Sequence, residues 1–153
     1  MKIQFHLSWA PETASSNRKA FKFGAAHSLF CEYLKRISQF FPCNVSGKFS
    51  AAKGRQAATK VWVCDRGSGS RMLSSEELAH HLQQVMDSGT KQLHIVIGGP
   101  DGFAGKEIAQ YCPDLRWSFG PLTLPHELAA VVASEQIYRA LTILKHLPYH
   151  AGH

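Results

Sequence analysis

The run QLHIVIGG at residues 92–99 constrains the fold more than any other stretch of this chain. It is apolar almost throughout, which predicts a strand buried on both faces, and such strands belong to parallel sheets covered by helices. KVWVCD at 60–65 is a second compact run, β-branched and aromatic, and predicts another buried strand. LRWSF at 115–119 is a third, and KIQFHLSW at 2–9 alternates well enough for a first strand. Helical spacing fills the intervals. Phe23, Phe30, Leu34 and Ile37 recur on one face between about Lys19 and Phe41, with Pro42 as the expected stop. Ser74 and Glu77 form a capping box ahead of a helix over 75–87. A shorter helix follows near 104–111, and a long one runs from Pro125, in its first turn, to about Lys145.

Strands alternating with helices predict an α/β domain with a mainly parallel sheet and helices on both faces. At 153 residues the chain reads as a single domain, 1–153. The long C-terminal helix is apolar over most of its circumference. It therefore needs two partners, and a dimer interface is a candidate for the second. Two segments resist this reading. RGSGSRM (66–72) predicts a flexible loop, and SGKFSAAKGRQAATK (46–60) is either a mobile basic loop or a poorly formed helix.

In such sheets ligands bind beyond the carboxyl ends of the strands. Three loops lie there, CDRGSGS, GGPDGF and SFGPLTLP, and glycine or proline shapes each. The third suits a rigid loop that presents backbone groups to a ligand, although a plain connecting loop would look similar. The familiar nucleotide signatures are missing. RGSGS lacks the Lys-Ser/Thr of a phosphate-binding P-loop, GGPDG is not GxGxxG, and no GxSxG nucleophile elbow occurs.

Charge is informative by region. Residues 1–60 hold ten Lys or Arg against Glu12 and Glu32, a balance of +8; the rest carries −2, giving the overall +6. That asymmetry fits a polyanionic partner, or else a solvated basic face. No apolar run approaches the roughly 18 residues of a membrane span. MKIQFHLSW reads as a strand and not a secretory signal. Cys31, Cys43, Cys64 and Cys112 show no CxxC spacing, so they read as reduced, mostly buried thiols of a cytoplasmic protein. His94 reads as a core histidine. His146, His150 and His153 crowd the C-terminus, where a polar tail or an RNA contact suits them better than a metal.

Taken in order, CDRGS, LSSEELA, HIVIGGPDGF and SFGPLTLPHELAAVVASEQIYRALTILKHLPYH closely resemble the ribosomal RNA large-subunit methyltransferase H family, over about residues 60–150. FCEYLKRISQF (30–40) adds a weaker match. The resemblance implies a single SPOUT-class domain with a C-terminal trefoil knot, working as a homodimer. It implies S-adenosyl-L-methionine as cofactor, and as substrate N3 of a pseudouridine in a 23S rRNA hairpin loop on the assembled ribosome, with no metal. It also implies that the backbone of Phe119, Gly120, Pro121, Leu122, Thr123 and Leu124 holds the adenosine part. Gly98 would approach it closely, and Cys64 would pack against the adenine. Tyr149 and His150 match the family's C-terminal Tyr-His pair and would position the base and ease its proton loss. Arg139 would meet RNA phosphate or hold the tail. The chain departs from the family in having Cys64 where Leu is usual and Ala151 where a basic residue is common. A non-catalytic RNA- or ribosome-binding protein, and a methyltransferase of another RNA, are the alternatives.

Overall fold

The computed structural model describes residues 1–11 and 18–151. Six strands form one sheet: β1 (Lys2–Leu7), β2 (Cys43–Ser46), β3 (Thr59–Cys64), β4 (Arg71–Met72), β5 (Gln92–Ile97) and β6 (Leu115–Ser118). Their spatial order is β2-β1-β5-β3-β6-β4, and every neighbouring pair is parallel. The helices are α1 (Gly24–Ile37), the single turn α2 (Ala51–Gly54), α3 (Ser75–Asp87), α4 (Gly105–Tyr111) and α5 (His126–Leu144).

The period of two along the central strands sorts side chains to two faces. Ile3, Phe5 and Leu7, Trp62 and Cys64, and Leu93, Ile95 and Ile97 join the larger core beneath α1, α3 and α5. Val61, Val63 and Val96 face the other way, into a smaller cluster closed by Phe49 and Tyr111. Helices thus cover both faces of a parallel sheet, as the apolar strands require.

α5 is sandwiched between α1 and α3 over the sheet, with Ala130, Ala133, Ile137, Ala140 and Leu141 all fully buried. Most of its apolar circumference is therefore taken up within the chain, while Leu128 stays 44% exposed. Glu127, 3% exposed, anchors the α1 junction: its Oε1 accepts the Phe23 N–H at 3.0 Å, where α1 has no side-chain cap of its own.

Several boundaries differ from the sequence pattern. α1 ends at Ile37, the last residue of AAHSLFCEYLKRI and five residues before Pro42; beyond it the chain tightens into turns, with the Gln39 N–H on the Arg36 carbonyl at 3.2 Å and the Phe40 N–H on the Ile37 carbonyl at 2.9 Å. Pro125 is the N-cap of α5 rather than part of its first turn. The 46–60 segment contains the end of β2, the single turn α2 and the start of β3. Of the cysteines, Cys64 alone is buried; Cys31 and Cys43 are intermediate and Cys112 is exposed. β2 and β4 carry almost no periodic signal, being short edge strands that borrow their hydrogen bonds from β1 and β6.

His94 lies in the core, 1% exposed, with a partner the sequence did not suggest. Its Nδ1 is 2.8 Å from His6 Nε2, and His6 Nδ1 is 2.9 Å from Ser46 Oγ, while His94 Nε2 has no hydrogen-bond partner among the described residues. Burial, followed by the charge of His94, lowers the His6 pKa to about 3. Burial, followed by the charge of Lys53, lowers that of His94 to about 4.

Candidate active site

Strands β5, β3 and β6 are adjacent, so the loops leaving their carboxyl ends converge. They enclose a cleft of about 880 Å³, walled by residues 64–70, 97–103 and 117–124, with Met72, His126 and Ala129 at its margins. Cys64, Gly98 and every residue from 119 to 124 line it. All eight positions tied to the cofactor by resemblance are thus brought together in one place.

Each wall is shaped by a local constraint. Gly98 is tightly covered: a Cβ there would lie 3.0 Å from the Phe103 ring, which would have to shift to admit it. Gly120 has φ +101°, a conformation glycine adopts without strain, and its N–H donates to Ser118 Oγ at 3.2 Å. Phe119 stands edge-on to Trp117, with centroids 4.8 Å apart. Burial, then the neighbouring Asp65, raises the Cys64 thiol well above its ordinary range. It is therefore an apolar surface and no nucleophile.

The first wall is wound around a guanidinium from the neighbouring strand. Arg116 Nε donates to Asp65 Oδ2 at 2.7 Å, with a second nitrogen on the same oxygen, and its NH1 donates to the Ser68 carbonyl at 2.6 Å. A Cβ at Gly67 would fall 2.8 Å from that guanidinium. Asp65 Oδ1 accepts the Gly67 N–H, so both carboxylate oxygens are engaged. RGSGS is therefore a fitted loop. The Asp65–Arg116 pairing joins residues 51 apart in sequence, one just past the end of β3 and the other on β6, and no local motif announces it.

Tyr149, His150 and Arg139 do not line the cleft. They form a separate cluster at the far end of α5. Glu135 Oε1 accepts from Arg139 Nε at 3.0 Å and NH2 at 2.7 Å, and from the Tyr149 hydroxyl at 3.0 Å. The Arg139 guanidinium lies over the Tyr149 ring, 4.8 Å from its centroid, and Tyr33 Oη is 3.4 Å from Tyr149 Oη. Burial, then the Tyr33 and Glu135 contacts, raises the Tyr149 pKa strongly, so the phenol stays protonated. His150 Nδ1 is 3.2 Å from Arg139 NH1, and its Nε2 is 2.9 Å from Glu76 Oε1. A guanidinium can only donate, so Nδ1 accepts and Nε2–H donates to Glu76. The Glu76 carboxyl is held below its usual value, chiefly by that bond. Sequence reasoning singled out neither Glu135 nor Glu76, whose roles depend on where the tail folds back.

Among the described residues no group of three or more His, Cys, Asp or Glu is placed to hold a metal; His153 lies outside them. No helix there is long and apolar enough to cross a membrane.

A parallel α/β sheet with a rigid, backbone-walled cleft at its carboxyl edge defines a cofactor-binding domain. Residues 19–150 match the family model described as predicted SPOUT methyltransferase, which gives its class. The chain is 38% identical over 159 residues to ribosomal RNA large subunit methyltransferase H of Koribacter versatilis, covering 99% of this chain and all of that protein. It is 37% identical over 139 residues to the Rubrobacter xylanophilus protein of the same name, 78% of this chain and 87% of that one. A Psychrobacter relative with that name is 45% identical over 93 residues, a match spanning 61% of this chain and about half (54%) of that protein. The chain belongs to the ribosomal RNA large subunit methyltransferase H family. Among solved structures, a Legionella pneumophila protein in complex with bound SAM is similar at TM-score 0.45 and 15% identity, over 92% of this chain and 66% of that one.

Proposed function

We propose that this chain, a single SPOUT domain over 1–153 with the C-terminal trefoil knot of that class, methylates N3 of a pseudouridine in a 23S rRNA hairpin loop on the assembled ribosome. It acts in the cytoplasm as a homodimer. The cofactor is S-adenosyl-L-methionine. The observation that supports this reading most directly is the cleft, which gathers Cys64, Gly98 and residues 119–124. Its volume suits a nucleoside joined to an amino acid. Apolar Cys64, Ile97 and Phe119 suit the adenine, and the glycine at 98 leaves room for backbone contact.

When bound, the cofactor supplies a methyl group already activated on its sulfonium. The work of the chain is therefore alignment. The glycine- and proline-shaped loops would hold the donor in place for the transfer. N3 must lose its proton as it gains the methyl. Tyr149, kept as a phenol, donates hydrogen bonds and orients, whereas His150 can accept the proton once Arg139 releases Nδ1. Neither residue is on the cleft of its own chain, so these roles need the second copy of the homodimer to carry the tail to a cleft. Arg139 holds the tail in the free protein, and the basic 1–60 region draws in rRNA phosphate.

Labelled methyl transfer to ribosomes lacking the modification, with tRNA as comparison, tests the reading. Incorporation at a pseudouridine N3 of 23S rRNA is expected, and incorporation only into tRNA would redirect it. One observation favours the non-catalytic alternative: both ring nitrogens of His150 are already engaged. Cofactor binding without turnover on any RNA would establish that alternative.

A further inference from the structure

S-adenosyl-L-methionine carries one anionic group, the α-carboxylate of its amino-acid end, and a rigid cleft can select for that end with a matched cation. Five ionisable side chains line the cleft: Cys64, Asp65, Arg66, Asp101 and His126. Cys64 is a buried neutral thiol. Asp65 is fully used by Arg116 and the Gly67 N–H. His126 is packed by Trp9, centroids 4.6 Å apart, and its Nε2 faces the buried Glu127 carboxylate at 4.0 Å. Asp101, on the opposite loop, is an anion that would repel a carboxylate from that rim. Arg66 is the only Lys or Arg among them.

The guanidinium of Arg66 has no acidic partner among the described residues. It rests on a neutral group instead, with NH1 donating to Thr123 Oγ1 at 2.7 Å. That bond spans the cleft's first and third walls and leaves the rest of the donor fork unused. A permanently charged fork, held at the mouth of a cofactor cleft by a hydroxyl and not by a carboxylate, is poised for an incoming anion. We propose that Arg66 binds the α-carboxylate of the cofactor and so makes the cleft selective for ligands with an amino-acid end; this rests on the methyltransferase reading above. Thr123 sets the height of the fork at the rim. Asp101 on the far side fixes which end of the amino acid faces which loop.

Titration calorimetry with three probes tests this: S-adenosyl-L-methionine, S-adenosyl-L-homocysteine, and 5′-methylthioadenosine, which keeps the nucleoside and sulfur but has no carboxylate. In Arg66→Gln the first two are expected to bind roughly ten-fold more weakly and methylthioadenosine as before. Arg66→Lys should restore part of the loss, and added salt should narrow the difference. Equal weakening of all three would overturn the assignment by showing that Arg66 merely supports the loop, and unchanged affinity for all three would overturn it outright. Wild-type protein that binds none of the three would remove the cofactor reading itself, an outcome distinct from either result in the variant.

Discussion

The cleft and the C-terminal cluster are both proposed to serve one reaction, yet they are built by opposite means. The cleft is made of backbone: Gly98 and Gly120 set how closely the chain can approach, and the Asp65–Arg116 ion pair ties the first wall to β6. The tail is made of side chains: Tyr149, His150, Arg139, Glu135 and Glu76 hold one another through charge-assisted bonds between parts up to 74 residues apart. Backbone walls cannot be rearranged without refolding a loop. A side-chain network can exchange partners, and a tail that must meet a substrate needs that freedom. The difference teaches that rigidity here is placed where the cofactor binds and exchangeability where the base would be handled.

The sharpest way to break that comparison is at Gly98. A side chain there collides with Phe103 or occupies the space the cofactor needs. Gly98→Val is expected to weaken S-adenosyl-L-methionine binding at least about 100-fold, roughly 2.7 kcal/mol or more, while the protein still melts cooperatively. Calorimetry gives the affinity and circular dichroism the melt. Retained affinity would mean that the wall yields, and the contrast with the tail would disappear.

Much of this contrast is visible in the bare sequence on one side and invisible on the other. Glycine and proline at strand ends are local signals, so GGPDGF and SFGPLTLP could be placed at a site before any coordinates. The parallel sheet was legible for the same reason, since QLHIVIGG needs both faces covered. The tail's partners were not. Glu76 and Glu135 look like ordinary helix residues, and only the packing of α5 between α1 and α3 brings them to His150 and Tyr149. Arg116 hid likewise: its partners Asp65 and Ser68 both belong to the loop that follows another strand, β3. β2 and β4 were missed because edge strands of two to four residues owe their form to a neighbour.

A second test asks whether the two regions share one cooperative scaffold. His6 and His94 are kept neutral in the fold, at about 3 and about 4, whereas in the unfolded chain they titrate near 6.5. Below pH 6.5 the unfolded chain binds more protons than the fold, so stability falls as pH drops towards those lowered values and is level above 6.5 for this pair. Between pH 6.5 and 5, where carboxylates are still largely ionised, the loss reaches at most about 2 kcal/mol for each histidine. Urea midpoints across that range measure it. Cofactor affinity and tail order should fail together there if the sheet supports both.

A third test sharpens the comparison by disturbing the tail alone. Glu135→Gln removes the charge that holds both Arg139 and Tyr149, in a site about one-sixth exposed. Hydrogen bonds to a charged group contribute about 1.5–3 kcal/mol when well sheltered and less where water reaches them. Methyl transfer at saturating cofactor is therefore expected to fall roughly ten-fold, about 1.4 kcal/mol, with cofactor affinity unchanged. Equal losses in both quantities would show that the cleft and the tail are not separable.

The smallest expected effect is at the anchor point of the tail, the first turn of α3. Ser74 and Glu77 close that turn as a capping box, with the Glu77 N–H on Ser74 Oγ at 3.1 Å and the Ser74 N–H on Glu77 Oε2 at 2.7 Å. Glu76, the acceptor for His150, sits inside the same turn. Ser74→Ala removes one of the two cap bonds and should cost about 1 kcal/mol of global stability in urea. Its local consequence is more informative. A frayed first turn lets Glu76 wander, and His150 loses the acceptor that fixes its Nε2–H tautomer. If His150 must leave Glu76 before it can take a proton, the loosened turn should leave methyl transfer unchanged or slightly raised even as stability falls. If instead Glu76 must stay in place to orient the ring, transfer should fall along with stability. Measuring both in one variant separates a resting clasp from a working support.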